Sequence, residues 1–507
     1  MARYGEFKYA QAKYGASVPD RRLTWGVIVD WDDTGLFDAS TNEMYNVLDI
    51  NVRRGREFLM ESNGQGFQRR FAGNIRIILR DISGRYDPFN ITGPLYGKLE
   101  QNQRIKIVVK DEATGTIYPV FFGRIDDIRP NYGMPPSVTL TASDGINMLS
   151  QTNVRGSAVE SSKQYDTAIA DVLTAANWTD GTDINTSSSD AMAYFWMDGT
   201  SAYNQISELN DAVLGNFWIA ADGKATFRPR IVNEDAAVTF VDHDALYSWK
   251  FRSPSPRKTI KNRVRVYSRT RNLNTAVELW RLSGTPSLTP GNSITIWADF
   301  NIDGESIPAT SVTALSPTTD YTMNTAADGS GTDLTGQFTI VKTNFATTAK
   351  LVITNGSAST GFITLLKIRG NGLTPDLYTY VETTDAASIA IYGEREFVIQ
   401  SNWLQDINSA SEQATVVKTL LSSPRRYPQF LIRAQPAKQF AVDLNEKVSL
   451  NFTTLNYGAD LRIGYIEHNV NFQTGGNICD TLFYFEPNLS ADTGNTWIFP
   501  ATFPMTF

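Results

Sequence analysis

Ser83-Gly84-Arg85-Tyr86-Asp87-Pro88-Phe89-Asn90, followed downstream by Val120-Phe121-Phe122-Gly123-Arg124-Ile125-Asp126-Asp127, is the pair of stretches on which the fold turns. Pro88 fixes its own φ and drives Asp87 away from helix, so the chain leaves a strand there and cannot re-enter it. Gly84 offers a positive-φ turn position, and Asp87 and Asn90 can bond nearby backbone. The second stretch reads as a strand broken by Gly123. Neither contains a nucleophile, base or metal ligand, so the distinctive chemistry here is loop geometry, the mark of an assembly protein.

Working outward, residues 23–150 read as β. Leu23–Val29, 45–52, 75–79 and 105–109 are short, rich in β-formers and separated by Gly, Asn, Asp and Pro. Such strands without helices predict a barrel or sandwich. Asn46, Asp49 and Asn51 interrupt the apolar residues of 47–52, which leaves one face of that strand wet.

Taken in order, 52–56, 75–79, 84–90, 104–109, 121–128 and 138–145 resemble the hub and minor tail proteins at the distal end of bacteriophage tails. The resemblance resumes at Ile391-Tyr392-Gly393, an alanine-rich helix over 406–421 stopped by Pro424, and strands over 429–434, 440–450 and 461–470. Asn445-Glu446 departs from the glycine-acid turn usual in that family. The resemblance implies a homotrimer whose two tail-tube-like β-barrel domains per copy give six pseudo-equivalent positions. It also implies a distal tail ring or tail tube protein, a tape measure protein and receptor-binding or tip proteins as partners. Transient contact with genomic DNA, and a virion location at the tail tip after assembly in a bacterial cytoplasm, belong to the same expectation. The hub of a genome-free contractile injection device is a related alternative.

Composition bounds the function classes. A chain of 507 residues holds several domains. Its net charge of −7 argues against a general nucleic-acid binder. The single cysteine, Cys479, excludes an internal disulfide, and His243 and His468 are too few for a Cys/His zinc site. No leader pattern and no apolar run of membrane-spanning length is expected.

The expected organisation is an N-terminal arm (1–22), a first tube-like barrel domain (23–150), an α+β domain (151–249) and a basic linking region (250–277). An inserted β-sandwich (278–382), a second hub domain (383–490) and a C-terminal aromatic arm (491–507) follow. In the α+β part, the spacing predicts helices over 164–176, capped by Ser161 or Ser162, and over 201–213. A hairpin turning at Asp222-Gly223 comes next. Tyr4, Tyr9 and Tyr14 recur every five residues; they read either as a mobile chain end or as anchors in a neighbouring subunit. Trp497, Phe499, Phe503 and Phe507 read as a second clasping arm. Lys261, Arg263 and Arg265 alternate on one face of a strand. Phosphate contacts and inter-subunit salt bridges are both open readings, as is a solvated face.

Chemistry is sparse. Asp126 and Asp127 are adjacent on a strand and point to opposite faces, so they cannot by themselves form a glycosidase pair, and Asp32-Asp33 is the only other candidate. No nucleophile elbow, His-Glu-x-x-His or phosphate loop occurs. His468 on an alternating strand reads as structural. No catalytic, metal or cofactor site is expected. Trp297, with polar loops around it, reads as core rather than glycan-binding, with a host-binding adhesin as the competing function.

Overall fold

The computed structural model describes residues 23–37, 41–55, 72–156, 158–186, 190–230, 235–245, 260–424, 428–453, 457–472 and 478–487. The arm residues Tyr4, Tyr9, Tyr14, Trp497, Phe499, Phe503 and Phe507 lie outside them. The chain is mainly β.

Eleven strands share one sheet, numbered here in chain order. They are β1 (Leu23–Val29), β2 (Val47–Gly55), β3 (Asn74–Arg80), β4 (Arg104–Asp111), β5 (Ile117–Asn131) and β6 (Ser137–Ser143). After them come β7 (Val238–Val241), β8 (Gln429–Arg433), β9 (Lys447–Phe452), β10 (Tyr457–Asn471) and β11 (Ile478–Pro487). The order is β1-β4-β5-β6-β3-β2-β10-β9-β7, with β11 paired to β10 and β8. Strict alternation builds it: in β4, Ile105, Ile107, Val109 and Asp111 are buried while the residues between them are half-exposed.

Two long strands change partner along their length. In β5, residues 117–124 pair with β4 and 124–131 with β6. In β10, Tyr465–Asn471 pairs with β2 and Tyr457–Arg462 with β9. The β units expected at the two ends of the chain are therefore joined edge to edge through β2 and β10. Among the described residues the ladder ends at β1 and β7 and, on the branch through β11, at β8, so no closed barrel forms there. Two apolar cores nevertheless lie along the sheet. One holds Trp25, Ile50, Ile77, Ile107, Phe121 and Leu140, the other Phe240, Phe430, Leu450, Ile463, Phe483 and Phe485.

A third core gathers the helices α1 (Gly145–Gln151), α2 (Tyr165–Ala175), α3 (Ala202–Ala212) and α4 (Ile407–Leu421). α4 begins where the Asp406 carboxylate accepts the Ser409 N–H at 2.9 Å. It buries Ala410, Ala414, Val417 and Leu421, one face at helical spacing. It packs on the strands Arg263–Ser268 and Thr379–Thr384. The helix and the strands expected together over 383–490 thus enter different cores. α3 is capped by Ser201, the first residue of the stretch expected as helix, whose side chain accepts the Asn204 N–H. α2 is not capped by Ser161 or Ser162: both belong to a strand, Glu160–Gln164, and Gln164 precedes the helix without a side-chain cap.

A fourth core lies between 279 and 368 and includes Leu279, Phe300, Met323, Leu351, Ile363 and Ile368. A five-stranded sheet centred on Gly361–Pro375 and a three-stranded sheet centred on Thr348–Asn355 supply it. The chain enters through Arg263–Ser268 and returns through Thr379–Thr384. These two strands pair antiparallel from Arg263↔Thr384 to Ser268↔Thr379.

Candidate assembly interface

The opening motif forms the loop after β3, at the end of the sheet where Arg80 pairs with Ser137 and Asn131 with Ser137. Its inner side is pinned. Buried Glu43 accepts hydrogen bonds from Trp31 Nε1 at 2.8 Å and Arg85 Nη2 at 2.7 Å, and from the Tyr86 hydroxyl. Asn46 donates to the same hydroxyl at 2.7 Å. Burial pushes the Glu43 carboxyl up, but these three donors and the Arg85 charge outweigh it and hold it below the usual range. Gly84 has φ +66°. Its carbonyl accepts from Asn90 Nδ2 at 2.9 Å, while Asp87 accepts from Phe89 N at 2.9 Å and from the Tyr132 hydroxyl at 3.1 Å. The loop chemistry assigned to Gly84, Asp87 and Asn90 from sequence is the chemistry observed.

The outer side of this loop is apolar and bare. Phe89 is 82% exposed, Tyr45 95% and Met134 100%, and Ile82, Ile91 and Tyr132 join them. Nothing in the sequence pattern marked these side chains as outward, because a loop has no period to read.

The second motif is an internal joint. A Cβ on Gly123 would sit 2.2 Å from the Ser143 carbonyl, so only glycine fits where β5 passes from β4 to β6. The Phe122 ring lies against the turn at Gly223, where a Cβ would come within 2.5 Å of it. Arg104 and Arg124 reach Asp180 at 3.6 and 3.4 Å beside that turn. Asp126 is held by Ser143 and by Asn147 Nδ2 at 3.1 Å, and Asp127 pairs with Arg129. Both acids have structural partners.

Arg54 was missed. It is buried, its Nη1 lies 2.7 Å from Asp443, and its Nη2 donates to the Ile219 carbonyl at 2.8 Å. Asp443 in turn accepts the Ala221 N–H at 2.8 Å. One guanidinium thus ties β2, the hairpin after α3 and the loop before β9. Alternation carried the signal, since Ile50, Val52 and Arg54 share the inward face. Nearby, burial raises the Asp144 carboxyl to about 7, against hydrogen bonds from Gly73 and Ile146. His468 lies in the core against Phe440 and Thr481, and burial lowers it to about 3. A base whose folded pKa is lowered stays neutral while the unfolded chain takes the proton. The His468 contribution to stability is therefore expected to fall as pH drops from about 6.5 towards 3, by up to about 1.4 kcal/mol per pH unit, while protonation of Asp144 opposes it between about 7 and 4. His468→Phe should flatten that part of a chemical-denaturation series run against pH; an unchanged slope would assign the acid sensitivity elsewhere.

Lys261 precedes the strand that carries Arg263 and Arg265, and its stem is buried with Nζ 5.9 Å from the Phe397 ring centroid. Arg263 pairs with Glu394 and Glu382 at 2.5 and 3.0 Å, and Arg265 with Glu382 and Glu396 at 2.6 and 2.8 Å. These pairs are within one chain. Trp297, expected in the core, is 55% exposed, stacked on Phe345 with centroids 5.8 Å apart. Among the described residues no group of three or more His, Cys, Asp or Glu could hold a metal ion, and no helix is long and apolar enough to cross a membrane.

No protein-family model matches the chain, and no curated protein matches it by sequence. Among solved structures it is similar to the 43 kDa tail protein of prophage MuSo2 from Shewanella oneidensis. That match has a TM-score of 0.50 at 10% identity and covers 92% of this chain and 99% of that one. A tail protein from Neisseria meningitidis MC58 matches with a TM-score of 0.48 at 8% identity, over 91% and 96% of the two chains. Prophage tail protein gp18 from Listeria monocytogenes EGD-e matches with a TM-score of 0.41 at 7% identity, over 91% and 94%. By the first of these superpositions, which runs nearly end to end, this chain has the fold of a bacteriophage tail protein.

Proposed function

We propose that the chain is a structural protein of a phage tail, the hub at the distal end that closes or adapts the tube and anchors tip components. The observation that carries this is the superposition over 92% of the chain on a prophage tail protein. In this reading the two cores along the single sheet mark two tube-like units, each curled on itself and fused through β2 and β10. Three copies then present six such units beneath the tube, with the tape measure and DNA passing through. The chain acts without catalysis, and the core between 279 and 368 belongs to a β-sandwich inserted on the outside of the particle. Cryo-electron microscopy of the source particle should show threefold density at the distal end of the tail. Mass photometry of the chain mixed with its tail neighbours should show co-assembly, and a persistent monomer there would sink the hub reading.

A second reading rests on Trp297. An exposed indole stacked on Phe345, with Lys350 Nζ 5.9 Å from its ring centroid, is a surface a sugar ring could cover. Under a host-binding role, Trp297→Ala in the full chain should abolish binding on a glycan array and leave particle assembly intact. Equal adsorption by particles carrying either residue would leave the insert as a spacer.

A further inference from the structure

Among the described residues, nothing packs over the apolar patch at the loop end of the sheet. Tyr45, Ile82, Phe89, Ile91, Tyr132 and Met134 converge there from the approach to β2, the loop after β3 and the β5–β6 turn. The convergence is structural: Asp81 N bonds the Pro136 carbonyl at 3.1 Å, and the Tyr132 hydroxyl bonds Asp87. Of the neighbouring charges, Arg85 pairs with Glu43 and Lys98 with Asp32, while Asp87 accepts the Phe89 N–H and the Tyr132 hydroxyl. Six large apolar side chains thus dominate the surface, which suits an aromatic, uncharged ligand better than a charged one.

We propose that this patch receives residues 488–507 of a second copy of the chain, an inference that rests on the self-assembly part of the hub reading. Those 20 residues carry one charged side chain, Asp492, and supply Trp497, Ile498, Phe499, Phe503, Met505 and Phe507. The other terminal segment fits less well: 1–22 carries Arg3, Lys8, Lys13, Arg21 and Arg22 against Glu6 and Asp20, a charge density that a mainly apolar surface desolvates at a cost. Pro500 and Pro504 lack the N–H a sheet edge requires, so the segment docks by side chains and not as an added strand. Geometry favours another copy. β11 starts at Ile478, opposite Asn471 near the patch end, and finishes at Pro487, opposite Leu461 at the far end. The chain therefore leaves heading away from its own patch. Twenty extended residues reach about 70 Å, enough to meet a neighbour's.

The test uses the full chain with a photo-crosslinking phenylalanine analogue in place of Phe499, irradiated in a mixture of light- and heavy-isotope protein. Mixed-isotope crosslinks to peptides holding 82–91 or 132–134 are expected. Phe89→Ser with Met134→Ser, both at exposed positions that leave folding intact, should weaken self-association about tenfold or more. Same-isotope crosslinks only, or crosslinks confined to other surfaces while self-association persists, overturn the docking but leave the hub reading standing. A chain that stays monomeric at every concentration, alone and with its tail neighbours, overturns both.

Discussion

Replacing Arg54 with alanine is expected to destabilise the protein by about 3–5 kcal/mol, the usual cost of removing one member of a buried ion pair. Arg54 Nη1 and Nη2 satisfy Asp443 and the Ile219 carbonyl, and nothing else described reaches both. The loss should be visible as a lower urea midpoint and as faster amide exchange in 219–221 and 443–445. Arg53 is the control. Its side chain is 55% exposed beside Glu467, so Arg53→Ala should cost no more than about 1 kcal/mol. Equal effects of the two substitutions would mean that Arg54 does not join the three regions energetically.

Glu43→Ala is expected to cost about 3 kcal/mol or more, because it strands the Trp31 N–H and the buried Tyr86 hydroxyl together. Glu43→Gln keeps one acceptor and should recover part of the loss. The pH dependence has a definite sign. The folded pKa of Glu43 is lowered, so its contribution is present above the unfolded value of about 4.3 and is lost as pH falls through the folded one. Hydrogen exchange across 84–92, followed from pH 7 downward, checks both points. Uniform protection in the alanine variant would show that the loop is held by something other than Glu43.

Local features were legible in the sequence where one period or one turn decides them. The apolar spacing of 410, 414, 417 and 421 gave α4, and Asp222-Gly223 gave its hairpin, with Gly223 at φ +95°. The Asn445 departure is also intelligible: Asn445 adopts φ +62°, a left-handed position that asparagine tolerates after glycine. Pairing at long range was not legible. β2 and β10 are joined at Asn51↔Asn469, and nothing in either strand names the other as partner. The same limit hid the company α4 keeps, since an amphipathic face states that it will be buried but not against what. The setting of Phe122 and Gly123 was hidden for the same reason: the Phe122 ring packs on the Gly223 turn, about a hundred residues away, and Gly123 lies against the Ser143 carbonyl of the next strand.

The side-by-side entry and return strands of the unit between 269 and 378 have a consequence for how this protein can change. Because Ser268 and Thr379 face each other across one ladder, everything between them leaves and rejoins the body at a single gap one strand spacing wide. The strand Arg263–Ser268 is also held from its other edge by Glu396–Gln400, yet Ala346 and Leu373 of the intervening stretch are buried in the helical core, so the body leans on it at those two side chains. A recombination event, or an engineer, could exchange the intervening stretch for another domain with adjacent ends, provided that domain also fills the places of Ala346 and Leu373 in the helical core.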